Sequence, residues 1–422
     1  MAKQMIMGNQ AIALGALKAG VNLVAGYPGT PSSEIIEFIS KYKDKTGTYV
    51  EWSVNEKAAA EVAAGASYAG SRTMITMKQV GLNVASDPVM CLSYVGVKGG
   101  MVIVVADDPG PISSQTEQDT RHFARFSKLP CFDPSTPGEA YEMIQEAFEL
   151  SEKYNTPVLL RPTTRVDHAY ESLDFPELGP CRTPGQFEKD SKRWVIFPKA
   201  SYLNHQRIFA RNENELPKVL SDSKWNYITE VGEGLPLART ALLATPSPKG
   251  ASPLKNPQCV GEEPFPSTSS GQAWLRDHKE IGFVAGGISY CYLMEALSIL
   301  NIKDIPVLKI GTPYPFPANL AADFMRAHDN LIVFEELDPV LEESLLMVAG
   351  REHIECKISG KLDNTVPNAG ELSVEIIKSV LQGNYIGIFT NEDGWKVQVT
   401  LYGSDENNWN GTFSVLVIAP AE

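Results

Sequence analysis

A chain of 422 residues is too long for one ordinary core, so two or three domains are expected. Hydrophobic residues make up 43% of it, too many for a disordered chain. The formal net charge of -14 repels phosphate backbones and anionic lipid, which sets aside nucleic acid and membrane as main partners.

Residues 1–24 are apolar in places but broken by Asn9, Gln10, Lys18 and Asn22, so they do not read as a signal peptide. Asn9 to Ala19 reads as a helix ended by Gly20, and Val21 to Ala25 as a short strand. Pro31 to Tyr42 has helical spacing, Tyr49 to Val54 reads as a strand, and Glu56 to Tyr68 as an alanine-rich helix ended by Gly70. Thr73 to Met77, Met101 to Ala106 and Pro157 to Arg161 read as buried strands, with a helix at Pro137 to Tyr154. Strands separated by helices predict an α/β fold with a doubly wound parallel sheet. From about Asp167 to Ala238 the periodicity weakens. Thr245 to Gly271, rich in Pro, Ser and Gly, reads as a disordered surface insertion. Strands return at Ile281 to Ala285, Val307 to Ile310 and Asn330 to Phe334, with helices near Ser289 to Leu300 and Pro339 to Val348, a second and smaller α/β domain. Ile386 to Ala421 switches to period-two alternation and reads as hairpin strands. No window of about 18 uninterrupted apolar residues spans a membrane. The six cysteines (Cys91, Cys131, Cys181, Cys259, Cys291, Cys356) are dispersed, which suits a reducing cytoplasm better than a disulfide framework.

Two stretches carry chemistry. In Ala25-Gly-Tyr-Pro-Gly-Thr-Pro-Ser-Ser-Glu34, Thr30 reads as an N-cap and Pro31 as the first helical residue. The free N–H groups of Ser32 and Ser33 then make an anion site that suits a carboxylate, with the Thr30 hydroxyl as an added donor. In Val50-Glu-Trp-Ser-Val-Asn-Glu56, a carboxylate opens a helix whose small residues let another backbone approach. Taken singly, each stretch also reads as plain structure, a capped helix after a turn, and spacing alone favours that reading.

Together, and followed by Met77-Lys-Gln-Val-Gly-Leu-Asn83, they resemble the pyrimidine-binding domain of thiamine-diphosphate-dependent 2-oxoacid:ferredoxin oxidoreductases. Ser86-Asp-Pro88, Ala106-Asp-Asp-Pro-Gly110 and Ser113-Ser-Gln-Thr-Glu-Gln-Asp-Thr-Arg121 narrow the resemblance to the large subunit of the indolepyruvate type. So do Gly286-Gly-Ile-Ser-Tyr290, Lys309-Ile-Gly-Thr-Pro-Tyr-Pro-Phe-Pro317 and Val333-Phe-Glu-Glu-Leu-Asp338. The resemblance runs from about Gln4 to Val380. It implies a pyrimidine-binding domain over residues 1–175, a connecting region over 176–280, a transketolase-C-like domain over 281–383 and a β tail of unknown role over 384–422.

For the site, the resemblance implies that Glu56 hydrogen-bonds the aminopyrimidine of thiamine diphosphate and so activates the cofactor. It implies that Thr30 holds the 2-oxoacid carboxylate and that Ser113, Ser114 and Gln115 approach the substrate. Lys78, Gln79, Gly81 and Asn83 would line the cofactor. The implied reaction turns an aryl pyruvate such as indolepyruvate, coenzyme A and oxidised ferredoxin into acyl-CoA, carbon dioxide and reduced ferredoxin. The family's full-length subunit continues into a second thiamine domain, where a Gly-Asp-Gly motif and a downstream Asn hold magnesium and the diphosphate, and ends in a ferredoxin-like module. Gly-Asp-Gly does not occur here; Glu392-Asp-Gly394 with Asn407-Asn408 is wrongly spaced and reads as turn residues. No two cysteines lie within four residues of each other, so no Fe–S cluster is expected on this chain. The implied partners are a subunit or domain carrying the diphosphate site with its Mg, a small β/γ-type subunit and ferredoxin, in a homo- or hetero-oligomer. Two alternatives stay open: a catalytically incompetent fragment or binding subunit, and a component of a pyruvate or 2-oxoglutarate ferredoxin oxidoreductase.

Overall fold

The computed structural model describes residues 3–195, 197–230, 281–303 and 305–382, and the backbone of three short strands beyond them. The Thr245–Gly271 stretch, Cys259, Glu392–Gly394 and Asn407 lie outside the described residues.

The first sheet is built from β2 (Leu23–Gly26), β3 (Tyr49–Trp52), β4 (Thr73–Lys78), β5 (Met101–Ala106), β6 (Cys131–Phe132) and β7 (Val158–Leu160). Its strands all run parallel in the order β3-β2-β4-β5-β7-β6. A central parallel strand is covered on both faces, which is why β5 reads Met-Val-Ile-Val-Val-Ala without a polar residue. Alternate residues face opposite sides. Val24, Met74, Val102, Val104 and Leu160 pack with α1 (Gly8–Lys18), α2 (Ser33–Ser40) and a long helix at Pro137–Tyr154. Ala25, Ile75, Met77, Ile103 and Val105 pack with the small residues Ala59, Ala60 and Ala63 of Glu56–Tyr68 and with Leu82, Ala85 and Val89 of Gln79–Val95. In chain order, after a short helix α3 (Lys43–Thr46), these last two are α4 (Glu56–Tyr68) and α5 (Gln79–Val95). An antiparallel ribbon of β1 (Lys3–Met7) and β8 (Tyr170–Asp174), set apart from the sheet, joins the two ends of this unit.

Two local readings are corrected. Thr30 is not an N-cap and Pro31 is not helical: α2 begins at Ser33 with Ser32 at the cap. The turn before it closes on itself, because both the N–H and the hydroxyl of Ser32 donate to the Gly29 carbonyl and the Gly29 N–H donates to Ser33 Oγ. The Ser32 N–H is therefore not free for an anion.

The second sheet has the order β13-β12-β10-β11-β9, made by β9 (Asn226–Glu230), β10 (Ile281–Gly286), β11 (Pro306–Ile310), β12 (Asn330–Phe334) and β13 (Lys357–Ser359). Only β9 runs antiparallel, on the edge. Buried charges stitch the two sheets' units together. Arg121, 1% exposed, binds Asp119 through two nitrogens and Glu335 at 2.7 Å, and donates to the carbonyls of Glu336 and Asp338. Lys309, fully buried, pairs with Glu139 and lies over the rings of Tyr227 and Tyr290. In the tail, Ile388–Thr390, Lys396–Thr400 and Ser414–Ile418 form a three-stranded antiparallel sheet.

Candidate functional site: a carboxylate at the switch point of the first sheet

The chain leaves β2 for one edge of the sheet and leaves β4 for the other, which makes the carboxyl ends of these strands a topological switch point, the place where open parallel sheets form their ligand crevice. Glu56 stands beside it, as the first residue of α4. Asn55 caps that helix, its side chain accepting from the Ala58 N–H at 2.8 Å, an interaction worth about 1 kcal/mol. The cap sets where the helix starts and so where the carboxylate is carried. Glu56 is 9% exposed, and among the described residues its carboxylate has neither an ion-pair nor a hydrogen-bond partner. It rests against Gly81 in the first turn of α5: a Cβ on that glycine would lie 2.8 Å from Glu56 Cγ and 2.9 Å from Cδ. The side chain as a whole is buried, but its oxygens are not sealed from solvent, so the carboxylate stands open to a ligand.

The β2 loop and the loop after β5 meet over the same edge. Ser113 Oγ donates to the Thr30 carbonyl at 3.2 Å, and the Lys78 side chain lies along Gly29. Thr30, Lys78 and Ser113 are thus brought together. Thr30 is exposed, and its hydroxyl makes no hydrogen bond among the described residues. Among the described residues the Ser114 hydroxyl is buried without a partner, and the exposed Gln115 makes no hydrogen bond. Gln79 and Asn83 turn toward the loop after β5: Gln79 Nε2 donates to the Thr116 carbonyl at 3.3 Å, and Asn83 Nδ2 to Gln118 Oε1 at 2.8 Å. Gln79 Oε1 remains buried without a partner among the described residues. Exposed apolar residues lie nearby in the chain: Tyr27 and Ile112 in these two loops, Trp52 and Val54 at the end of β3 and just after it, and Val84 in α5.

Residues that hold this loop went unassigned in the sequence. The buried Asp108 accepts from the Ser113 N–H at 2.8 Å and from Thr164 Oγ1 at 2.7 Å. Its neighbour Asp107 accepts from Thr120 and from Arg161 Nε at 2.6 Å; burial pushes its carboxyl up to about 6, against the pull of Arg161. Glu117 accepts from the N–H groups of Gly110 and Gly370, tying the loop to the second unit. The signal was the acidic run Asp107-Asp108 at a strand end, which polarity alone assigns to a solvated turn.

Residues 14–226, half of the chain, match the model of the pyruvate flavodoxin/ferredoxin oxidoreductase family, thiamine diphosphate-binding. The chain belongs to this family. It is similar to the indolepyruvate oxidoreductase subunit IorA of Methanothermobacter marburgensis, 36% identical over 92% of this chain and 55% of the relative. To the IorA of Pyrococcus horikoshii it is 37% identical over 88% of this chain and 51% of the relative. The 2-oxoglutarate synthase subunit KorA of Archaeoglobus fulgidus is more distant, 24% identical over 79% of this chain and 88% of that one. The chain spans about half the length of the IorA relatives it matches. In fold it resembles the 2-oxoglutarate:ferredoxin oxidoreductase of Magnetococcus marinus, with a TM-score of 0.63 and 16% identity over 90% of this chain and 66% of that one.

Proposed function

We propose that this chain is a component of a 2-oxoacid:ferredoxin oxidoreductase and supplies the pyrimidine half of its thiamine diphosphate site. The single observation that carries the reading is the unpartnered Glu56 carboxylate, held between two helices at the carboxyl end of the sheet. A carboxylate so placed accepts a hydrogen bond from a protonated ring nitrogen of the aminopyrimidine, and the low exposure makes that bond stronger than it would be in water. Thiamine diphosphate, when bound, supplies the nucleophilic carbon and the electron sink that oxidative decarboxylation of a 2-oxoacid requires. The chain's own residues do the rest. Glu56 holds the proton relay at the pyrimidine, the exposed Thr30 hydroxyl receives the substrate carboxylate, and Ser113 with Ser114 closes that side of the crevice. Lys78 adds positive charge beside the Thr30 loop, where an anionic substrate enters. Gln79, Gly81 and Asn83 shape the α5 wall.

The nearer similarity to IorA than to KorA favours aryl pyruvates, indolepyruvate among them, as substrates, with coenzyme A accepting the acyl group and ferredoxin the electrons. Among the described residues no group of three or more His, Cys, Asp and Glu side chains suits a metal ion. The Mg-bound diphosphate is accordingly assigned to a partner domain or subunit. A small β/γ-type subunit and a cytoplasmic setting complete the proposal. No helix among the described residues is long and apolar enough to cross a membrane.

The test is Glu56→Gln in the assembled enzyme. The amide keeps the shape and loses the charge, and turnover should fall by roughly a hundredfold or more with an unchanged melting temperature. Activity within a factor of a few of wild type rejects the assignment and leaves the chain a non-catalytic binding subunit.

A further inference from the structure

We infer that Gly81 is a positioning residue, whose missing side chain fixes where the Glu56 carboxylate sits. The inference rests on the role proposed above for Glu56. Glu56 has no hydrogen bond among the described residues to aim it, so packing is what orients it. The packing partner is Gly81, whose own backbone is an ordinary helical turn of α5 with no left-handed φ. Conformational freedom therefore does not explain a glycine there, and within a helix alanine is the better residue. Space explains it. A methyl group at position 81 would lie 2.8 Å from Glu56 Cγ, 2.9 Å from Cδ, and closer still to Oε1. Ordinary carbon contacts are about 3.5–4 Å, so the carboxylate must withdraw by on the order of 1 Å. Because Cγ is crowded along with the carboxylate, the side chain must turn from Cβ outward, which changes the aim of the group.

The experiment compares Gly81→Ala, Glu56→Ala and the double variant in the assembled enzyme with thiamine diphosphate and magnesium. Gly81→Ala should lower kcat by roughly a hundredfold, the usual consequence of a 1 Å misplacement, with KM for the 2-oxoacid within about threefold of wild type. The circular-dichroism signature of the bound aminopyrimidine should change, and the pH at which it titrates should move, while the cofactor Kd stays within about threefold. In the Glu56→Ala background the same methyl group has nothing to displace, so Gly81→Ala should cause no further loss, the non-additivity expected of two groups acting as a unit. If Gly81→Ala lowers the melting temperature, the double variant should restore it by removing the crowded carboxylate. Unchanged kcat and spectrum in Gly81→Ala overturn the inference. So does an equal loss of cofactor affinity with and without Glu56, which makes Gly81 a wall of the cofactor pocket, or a melting defect that the double variant does not repair. Failure of the Glu56 role itself is seen separately, as activity retained in Glu56→Gln.

Discussion

Two side chains, Glu56 and Thr30, were picked from the sequence as polar groups at helix starts, and the structure sets them in different surroundings. Glu56 was legible as the residue opening a helix directly after a strand, and the helix indeed runs from Glu56 to Tyr68. What no spacing revealed is that its carboxylate has no partner among the described residues and lies against a helix that starts 23 residues later. Thr30 was read both as a helix cap and as a donor to a carboxylate. The cap belongs to Ser32, so the structural claim on the Thr30 hydroxyl is gone. Thr30→Ala should therefore leave thermal melting within the small range of an exposed substitution, about 0.5 kcal/mol, while raising KM for the 2-oxoacid several-fold. Melting and steady-state kinetics on the same preparation check it. A large melting loss with unchanged KM returns the residue to structure.

Among elements, the buried parallel strands were legible because their apolar runs and the helices between them leave few other folds. α5 was harder, since Gly81, Asn83 and Pro88 interrupt its pattern, and it holds as a helix because its buried face packs on α4. The ribbon of β1 with β8 pairs residues more than 160 positions apart, and the loop contacts of Gln79 and Asn83 reach 37 and 35 residues along the chain. Partners at such distances leave no local signature. The same holds for the loop after β12, where Glu336 accepts from the Leu372 N–H at 3.0 Å and keeps Oε2 buried without a partner among the described residues. Burial, reinforced by Glu371, pushes the Glu336 carboxyl up to about 7, while Arg161 and Lys361 pull the other way. A raised carboxyl means that the folded state holds the proton more tightly than the unfolded chain. Its contribution is present below the ordinary carboxylate range near 4.5 and is lost as the pH rises through 7. Glu336→Gln keeps the acceptor for Leu372 and removes the charge. The variant should melt like wild type near pH 5 and several degrees higher near pH 8.5, a difference of roughly 1–3 kcal/mol. Equal melting temperatures at both pH values would show that Glu336 stays ionised at little cost.

At the scale of the whole molecule, the proposed function makes the crevice half of a site. Exposed Tyr27, Trp52, Val54, Val84 and Ile112 lie in segments that leave the carboxyl ends of the same strands, more large apolar surface than a finished cofactor pocket leaves open to water. Immobilising a flexible cofactor costs about 4–15 kcal/mol in lost freedom, whereas one charged hydrogen bond to Glu56 returns about 1.5–3 kcal/mol. The difference normally comes from the diphosphate, held through a magnesium ion by oxygen ligands, and no described cluster of carboxylates or histidines supplies them. The chain alone should therefore bind thiamine diphosphate weakly, with Kd far above the micromolar range even with magnesium present. Adding the partner that bears the diphosphate site should cover this apolar surface, complete the metal coordination and bring Kd down by several orders of magnitude. The gain should be lost in Glu56→Ala only in part, because the diphosphate anchor remains. Titration calorimetry of the chain, the partner and their mixture measures each step. Micromolar binding by the chain alone would mean that it carries a diphosphate anchor of its own.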